Sequence, residues 1–315
     1  MSQDELYLRS AELIIGSKSE DNFPKLPGNA KSFLSDLVID DTNSSKYKSG
    51  FRISFNIEKN DDANANKGTV SVYNISQSSR SFIENENLIT FLKAGYINQI
   101  STIFFGDIQD RKTERNNSDV ITTLEIVDQG KLLDTANVQI GLGPGATNIQ
   151  AFSAAESALQ LIIPPRQKNN LPIKRYTNGY SYTGTAIRLL EKLAEEIDYN
   201  FSIQDGEIQI LKNNESTNES VVVVSPNSGL IGTPTKTQNG VEFSTLINPD
   251  IRIGRLIKLE SKQIQNAQSG NSDTKASQSL KDSGIFLLPK KIVIQGDTQE
   301  GLWQMNIEGI TPEED

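Results

Sequence analysis

The chain has 315 residues, 40 acidic against 31 basic side chains, a formal net charge of −9, and neither His nor Cys. At about 100–200 residues per domain, this length points to two or three domains, each able to bury a core. The missing residue types exclude disulfides, thiolate chemistry, the usual zinc sites and any His-based triad or general base; a carboxylate enzyme or a non-catalytic role remains. The acidic balance also runs against coating a nucleic acid.

No apolar run approaches the length of a spanning helix, the longest being VVVV at 221–224. The N-terminus (MSQDELYLRSAELIIG) carries acids where a signal peptide needs a basic patch. The chain is therefore expected to work without membrane insertion.

Taken in order, the first 130 or so residues read as β. Phe51, Ile53, Phe55 and Ile57 alternate with Arg52, Ser54, Asn56 and Glu58, a two-residue period that turns one face to a core. After a polar loop at 60–66, the β-branched stretch 68–74 is expected to pair back on this strand as a hairpin. Residues 76–85 read as one or two helical turns opened by a Ser N-cap. Strands are expected at 87–95, 101–110 and 120–128, spaced as in a small sandwich or barrel.

The middle of the chain changes period. Ala151, Phe152, Ala155, Ala158, Leu159 and Ile162 share a helical face, and Pro164-Pro165 stops that helix. A second stripe runs through Ala186, Ile187, Leu190, Leu193, Ala194 and Ile197, with Thr183 or Thr185 as cap. Residues 199–203 and 207–211 flank Asp205-Gly206, a pair suited to a type I′ hairpin turn.

From Ser225 the chain returns to β. Residues 233–237 and 241–247 flank a turn containing Asn239-Gly240. Residues 251–259 alternate as a strand after the turn Asn248-Pro249-Asp250, and 261–284 are almost wholly polar, as in a mobile loop. Strands close the chain at 285–288, 291–295 and 303–308, with Trp303, Met305 and Ile307 on one face. The reading is mainly β with an α+β insert: a β domain at 1–134, an α+β domain at 135–225 and a second β domain at 226–315. Similar-sized outer units suggest an internal duplication.

Motifs that could carry chemistry are few. Gly141-Leu-Gly-Pro-Gly145 lacks the Lys-Ser/Thr of a phosphate loop, and Pro144 removes an amide donor; it reads as an inter-domain turn. Asp40-Asp41, Asp61-Asp62 and Glu195-Glu196 are neighbours in sequence, and such neighbours point apart on strands and helices. Asp107 interrupts an apolar strand, for which a turn or bulge at Gly106 is the simplest account. Neither Arg111-Lys112 with Arg115 nor Lys290-Lys291 has interleaved aromatics, and Trp303 reads as a core anchor or interface plug. Short strands with mixed polar faces and 36% hydrophobic residues suit a protein living inside an assembly.

Three stretches in order resemble the phage tail baseplate hub proteins of contractile tails. The first is 50–59 (GFRISFNIEK) followed by 67–76 (KGTVSVYNIS) and Arg80, with Tyr73-Asn74 after the strand. The second spans 229–243, with Gly232, then reaches Pro249 and Gly254. The third is 296–305 (GDTQEGLWQM), carrying Gly296, Asp297 and Trp303. The resemblance implies two tube-like antiparallel β-barrel or sandwich domains flanking the small α+β domain. It implies a homotrimer that adapts a sixfold tail tube to a threefold spike, lines part of the DNA channel and uses no cofactor or metal. Expected partners are the tail tube protein, a separate spike protein, other baseplate proteins and the tape-measure protein, with DNA only in transit. The expected location is the virion baseplate, assembled in the host cytoplasm. The signature positions Tyr73, Asn74, Gly232, Pro249, Gly254, Gly296, Asp297 and Trp303 are structural in this reading, with no catalytic residue. The alternative from another class is a tail-associated cell-wall hydrolase using two converging carboxylates. A carbohydrate-binding β protein has little support from 7% aromatic residues and one Trp.

Overall fold

The structure is a computed structural model that describes residues 9–17, 30–36, 38–39, 45–46, 50–62, 64–96, 99–128, 136–159, 171–212, 215–217, 219–238, 240–261, 265–266 and 284–312. In the N-terminal segment, β1 (Arg9–Ser17) buries Ala11, Leu13, Ile14 and Ile15 and pairs antiparallel with β2 (Lys31–Asp36). A two-residue pair follows, β3 (Val38–Ile39) with β4 (Ser45–Lys46). β5 (Ile53–Asn60) and β6 (Lys67–Tyr73) form the expected hairpin, Ile53 opposite Val72 and Glu58 opposite Lys67. Ser76 caps α1 (Gln77–Ile83), its Oγ accepting from the Ser79 amide at 3.1 Å. β7 (Leu88–Tyr96), β8 (Gln99–Asn116) and β9 (Asp119–Val127) complete the segment.

β8 differs from expectation in two ways. It runs through Gly106 and Asp107 as strand, and its irregularities fall on either side: between Thr102 and Phe104 in the pairing with β7, and between Ile108 and Asp110 in the pairing with β9. The glycine serves close approach instead of a turn, since a Cβ at Gly106 would sit 2.3 Å from the Val127 carbonyl oxygen. β8 also continues past residue 110 to Asn116, because β9 stays paired with it out to Asp119.

The middle unit holds β10 (Asn137–Leu142), α2 (Asn148–Leu159), β11 (Tyr180–Thr185), α3 (Ala186–Glu195), β12 (Tyr199–Gln204) and β13 (Glu207–Lys212). Both helical stripes face inward. Ala151, Phe152, Ala155 and Leu159 of α2 and Leu189, Leu190 and Leu193 of α3 are buried, together with Phe201, Ile203, Ile208 and Ile210 of the β12–β13 hairpin. Asp205 and Gly206 both take positive φ (53° and 86°), as a type I′ turn requires. Thr185 sits at the N-cap of α3 without donating or accepting a side-chain cap bond. Pro164-Pro165 lies outside the described residues.

One turn reading is corrected here. Gly141 and Leu142 end β10, and Gly143-Pro144-Gly145 leads directly into α2, so the glycine-rich stretch joins a strand to a helix inside the α+β unit. It still forms no phosphate cradle: β10 pairs antiparallel with β11, and the Gly145 and Asn148 amides donate to the carbonyls of Tyr176 and Lys174.

The C-terminal segment begins with β14 (Val222–Val224), then the hairpin β15 (Leu230–Lys236) and β16 (Val241–Leu246), closed by the Thr237 amide donating to the Gly240 carbonyl at 2.9 Å. β17 (Ile257–Leu259) lies parallel to β14, and β18 (Gln265–Asn266) parallel to β15. β19 (Ile285–Asp297) and β20 (Trp303–Ile310) finish the chain as an antiparallel pair. The expected strand at 251–259 is extended only over Ile257–Leu259. Gly254 takes φ +78° and the Arg255 amide turns back onto the Arg252 carbonyl, although Ile251 and Ile253 remain buried. The two short strands expected at 285–288 and 291–295 are one strand, with a register shift between Pro289 and Lys291 that accommodates the proline's missing N–H. Of the expected mobile loop at 261–284, the stretches 262–264 and 267–283 lie outside the described residues.

Tertiary pairing joins the two ends of the chain. β19 pairs antiparallel with β5, Gly296 opposite Phe55 and Ile294 opposite Ile57. One sheet therefore runs β18-β15-β16-β20-β19-β5-β6-β9-β8-β7-β1-β2, with β14 and β17 branching from β19. A single apolar core spans both segments, from Leu13, Ile53 and Phe104 to Phe243, Ile292 and Trp303, while the α+β unit has its own core. The molecule is mainly antiparallel β with a few helices.

Candidate functional site

The β5–β19 seam gathers four of the eight signature residues: Tyr73, Gly296, Asp297 and Trp303. Gly296 stands between Phe55 on one neighbouring strand and Trp303 on the other. Its missing side chain is what admits the Phe55 ring, because a Cβ there would lie 2.3 Å from Phe55 Cζ. Phe55 in turn meets Trp303 edge-to-face at 5.4 Å between ring centroids. The variant Gly296→Ala must displace that ring, and is expected to lose about 1–3 kcal/mol by overpacking, read as a shift in the urea midpoint.

Asp297 closes the seam. Its carboxylate accepts from Arg52 Nη2 at 2.8 Å and Nε at 3.1 Å, and from the amides of Gln299 and Glu300 at 2.9 and 3.1 Å. This is an Asx turn with a bidentate guanidinium added, which orders the connection from β19 to β20. The Arg52 guanidinium lies 4.8 Å above the Tyr73 ring, so Tyr73 enters the same cluster. Arg9 reaches over from β1: it donates to the carbonyls of Asp297 and Gly301 at 3.1 and 3.2 Å and sits 5.8 Å from the Trp303 ring centre. Asn74, at φ 56°, ends β6; its side chain donates to Asp119 Oδ1 at 2.8 Å and accepts from the Val120 amide at 2.9 Å.

The remaining signature positions lie elsewhere. Gly254 meets the α+β unit, where a Cβ would stand 2.6 Å from Gln209 Nε2, and its carbonyl accepts from the Thr217 amide at 2.8 Å. Pro249 belongs to a turn in which the Asp250 amide donates to Asn248 Oδ1 and Arg252 Nε to the Pro249 carbonyl. Gly232, at φ 68°, occupies the irregular stretch of β15 between Ile231 and Thr235 and approaches no other group.

A second polar cluster, unmarked in the sequence reading, docks the α+β unit on the sheet. Asp128, directly after β9, is fully buried, and its carboxylate accepts from the amides of Asp205 and Gly206 at 2.7 and 3.0 Å. Lys59, 5% exposed at the end of β5, places its Nζ 2.6 Å from both Asp205 oxygens. Asn66 donates to the Ile203 carbonyl at 2.9 Å and to Gln204 Oε1 at 3.0 Å, and Gln204 Nε2 donates to the Asn60 carbonyl at 2.6 Å. Burial first, and then the charge of Asp205, push the Asp128 carboxyl up to about 7, against the opposing pull of Lys59 and the two amides. The only hint in the sequence was an acid ending an apolar strand.

The adjacent acid pairs do not converge. Asp61 pairs with Lys290 at 2.5 Å while Asp62 accepts from Asn64; Glu196 accepts from the Tyr176 hydroxyl at 2.8 Å while Glu195 is exposed. Asp40-Asp41 lies outside the described residues. Among the described residues no group of three or more acids is arranged to hold a metal.

The fold has counterparts among proteins of known structure. The fold is similar to that of the 43 kDa tail protein of prophage MuSo2 from Shewanella oneidensis, at 9% identity and a TM-score of 0.57, over 96% of this chain and 97% of that one. It is also similar to the E. coli c3393 protein, a component of the type VI secretion system, at 11% identity and a TM-score of 0.51, over 85% of this chain and 75% of that one. No curated protein sequence matches the chain. The model of the baseplate hub gp41 family matches residues 36–268, well over half of the chain, and the chain belongs to that family. It is a structural component of a bacteriophage tail baseplate.

Proposed function

We propose that the protein is the non-enzymatic central hub of its baseplate, a homotrimer that adapts the sixfold tail tube to the threefold spike and lines part of the DNA channel. The observation that carries this reading is the β5–β19 pairing. It fuses an N-terminal β segment and a C-terminal β segment into one sheet around one core. Two such segments per subunit, repeated three times, give six β units for a sixfold partner to meet. In this reading they are the tube-like domains at 1–134 and 226–315, and the α+β domain between them stands outside the ring. The signature residues hold the ring segments in register: Tyr73, Gly296, Asp297 and Trp303 through Arg52, Arg9 and Phe55.

Partners in the proposal are the tail tube protein, the spike, neighbouring baseplate proteins and the tape-measure protein, met through many modest contacts. The net charge of −9 suits a channel wall over which the DNA backbone passes without binding. Assembly takes place in the host cytoplasm before incorporation into the virion. Light scattering of the purified protein, alone and with its spike, is expected to give the mass of a trimer in at least the mixture. A monomer in both samples would overturn the trimeric hub. Peptidoglycan clearing abolished by a single acid-to-amide change would favour a hydrolase instead.

A further inference from the structure

The polar junction between the α+β unit and the sheet has an unbalanced charge. Two carboxylates, Asp128 and Asp205, share one ammonium, Lys59, which is committed to Asp205 at 2.6 Å. Asp128 is fully buried and is satisfied by amide donors of the β12–β13 turn, which are neutral groups. With both acids ionised the cluster would carry an uncompensated buried negative charge, and burial penalises such a charge heavily. One proton restores neutrality: the Asp205 amide is held by Oδ2 and the Gly206 amide by Oδ1, so the carboxyl keeps one full acceptor for its amide and weakens the other bond.

We infer that Asp128, Asp205 and Lys59 form a single-proton latch that holds the tip of the β12–β13 hairpin, and with it the α+β unit, against the sheet. The closed latch binds the proton, and opening releases it, because an Asp exposed to water is ionised near neutrality. Among the described residues the surrounding charges do not supply another counter-ion: Lys67 of β6 lies opposite Val127 but is exposed to solvent. Lys59 and Asp205 are the charged neighbours that act on Asp128. From β8, Asp107 lies opposite Val127, next to Asp128 in the chain, and adds no positive charge. Of the nearby loop and strand, Asp61 is paired with Lys290, and Glu58 of β5 with Lys291. The closed-state value of about 7 lies above the ordinary 3.8. A raised acid stabilises the closed form most at low pH and loses that contribution as pH rises through the window between the two values. The latch therefore loosens from about pH 4 to pH 7 and is level above that.

Hydrogen exchange by mass spectrometry on the whole protein reads this directly, comparing peptides covering 199–212 with peptides covering α2 and α3. After correction for the intrinsic pH dependence of exchange, the opening constant of the hairpin is expected to rise up to tenfold per pH unit between pH 5 and 7, and to stay level from 7 to 8.5. The helices' own exchange should follow a different, shallower course. In Asp128→Asn the slope disappears. In Asp205→Asn, which suits the positive φ of that position, Lys59 is left to neutralise Asp128, so the wild-type slope moves below pH 5. This second variant decides the matter if Asp128→Asn does not fold. A wild-type opening constant that is flat from pH 5 to 8, or a slope that persists in either variant, would overturn the latch.

Discussion

Replacing Trp303 with alanine is expected to lower stability by about 3–5 kcal/mol, the usual cost of deleting a large buried aromatic side chain. The residue is 4% exposed and lies at the meeting point of three strands distant in sequence. It packs edge-to-face on Phe55 of β5, and Arg9 of β1 lies over its ring. Alanine leaves a cavity at the seam, removes both aromatic contacts and unfastens the guanidinium that also binds the Asp297 and Gly301 carbonyls. Trp303→Phe keeps the apolar surface and part of the contact with Phe55, so it is expected to recover more than half of the loss. Urea denaturation followed by far-UV circular dichroism measures both. A cost below about 1 kcal/mol for the alanine variant would mean that the seam is held by backbone pairing alone.

The second large effect falls on the other junction. Lys59→Met is expected to cost about 3–5 kcal/mol at pH 8, the range seen when one partner of a buried ion pair is removed and the other is stranded. Here two acids are stranded, Asp205 and Asp128. The deficit should shrink on acidification to pH 5, because the Asp128 carboxyl, pushed up to about 7, is then protonated and no longer needs the ammonium. Lys291→Met is the control: its pairing with Glu58 is half-exposed, and exposed pairs contribute at most about 1 kcal/mol. Since Trp303 is the one tryptophan, its fluorescence reports the sheet, while the β12–β13 region is followed by hydrogen exchange. Equal losses for the two lysine variants would show that burial of Lys59 has no energetic consequence.

Much of the local structure was legible because local rules govern it. The alternation of Phe51 to Glu58, the Ser76 cap, the Asp205-Gly206 turn and the stripe on α3 each rest on residues within one turn or one hairpin of each other. Where the reading failed, a distant partner had intervened. β1 carries an apolar run buried on both faces, so it shows no alternation, and only β2 and β7 on its two sides make it a central strand. Gly106 looked like a turn residue, yet it is glycine because Val127, twenty-one positions later in the chain, passes too close for a side chain. The same limit applies to the candidate sites. Gly296, Asp297 and Trp303 could be picked out as a motif, whereas nothing local tied it to Arg52, on the polar face of an expected strand 245 positions earlier, or to Arg9, which together make it a clasp.

By itself the sequence determined the chemistry that the protein lacks, its predominantly β character, the hairpins and the helices, and, through ordered motifs, a resemblance to baseplate hubs. Only the tertiary structure decided that the first and last β segments share one sheet, and that a buried acid and a hairpin tip fasten the insert to it. The physical reason is range. Turn geometry, capping and periodicity are set by neighbours a few residues away. The β5–β19 ladder and the Asp128–Asp205–Lys59 cluster join groups more than seventy positions apart, where pairing depends on burial and charge balance that exist only once the chain has closed.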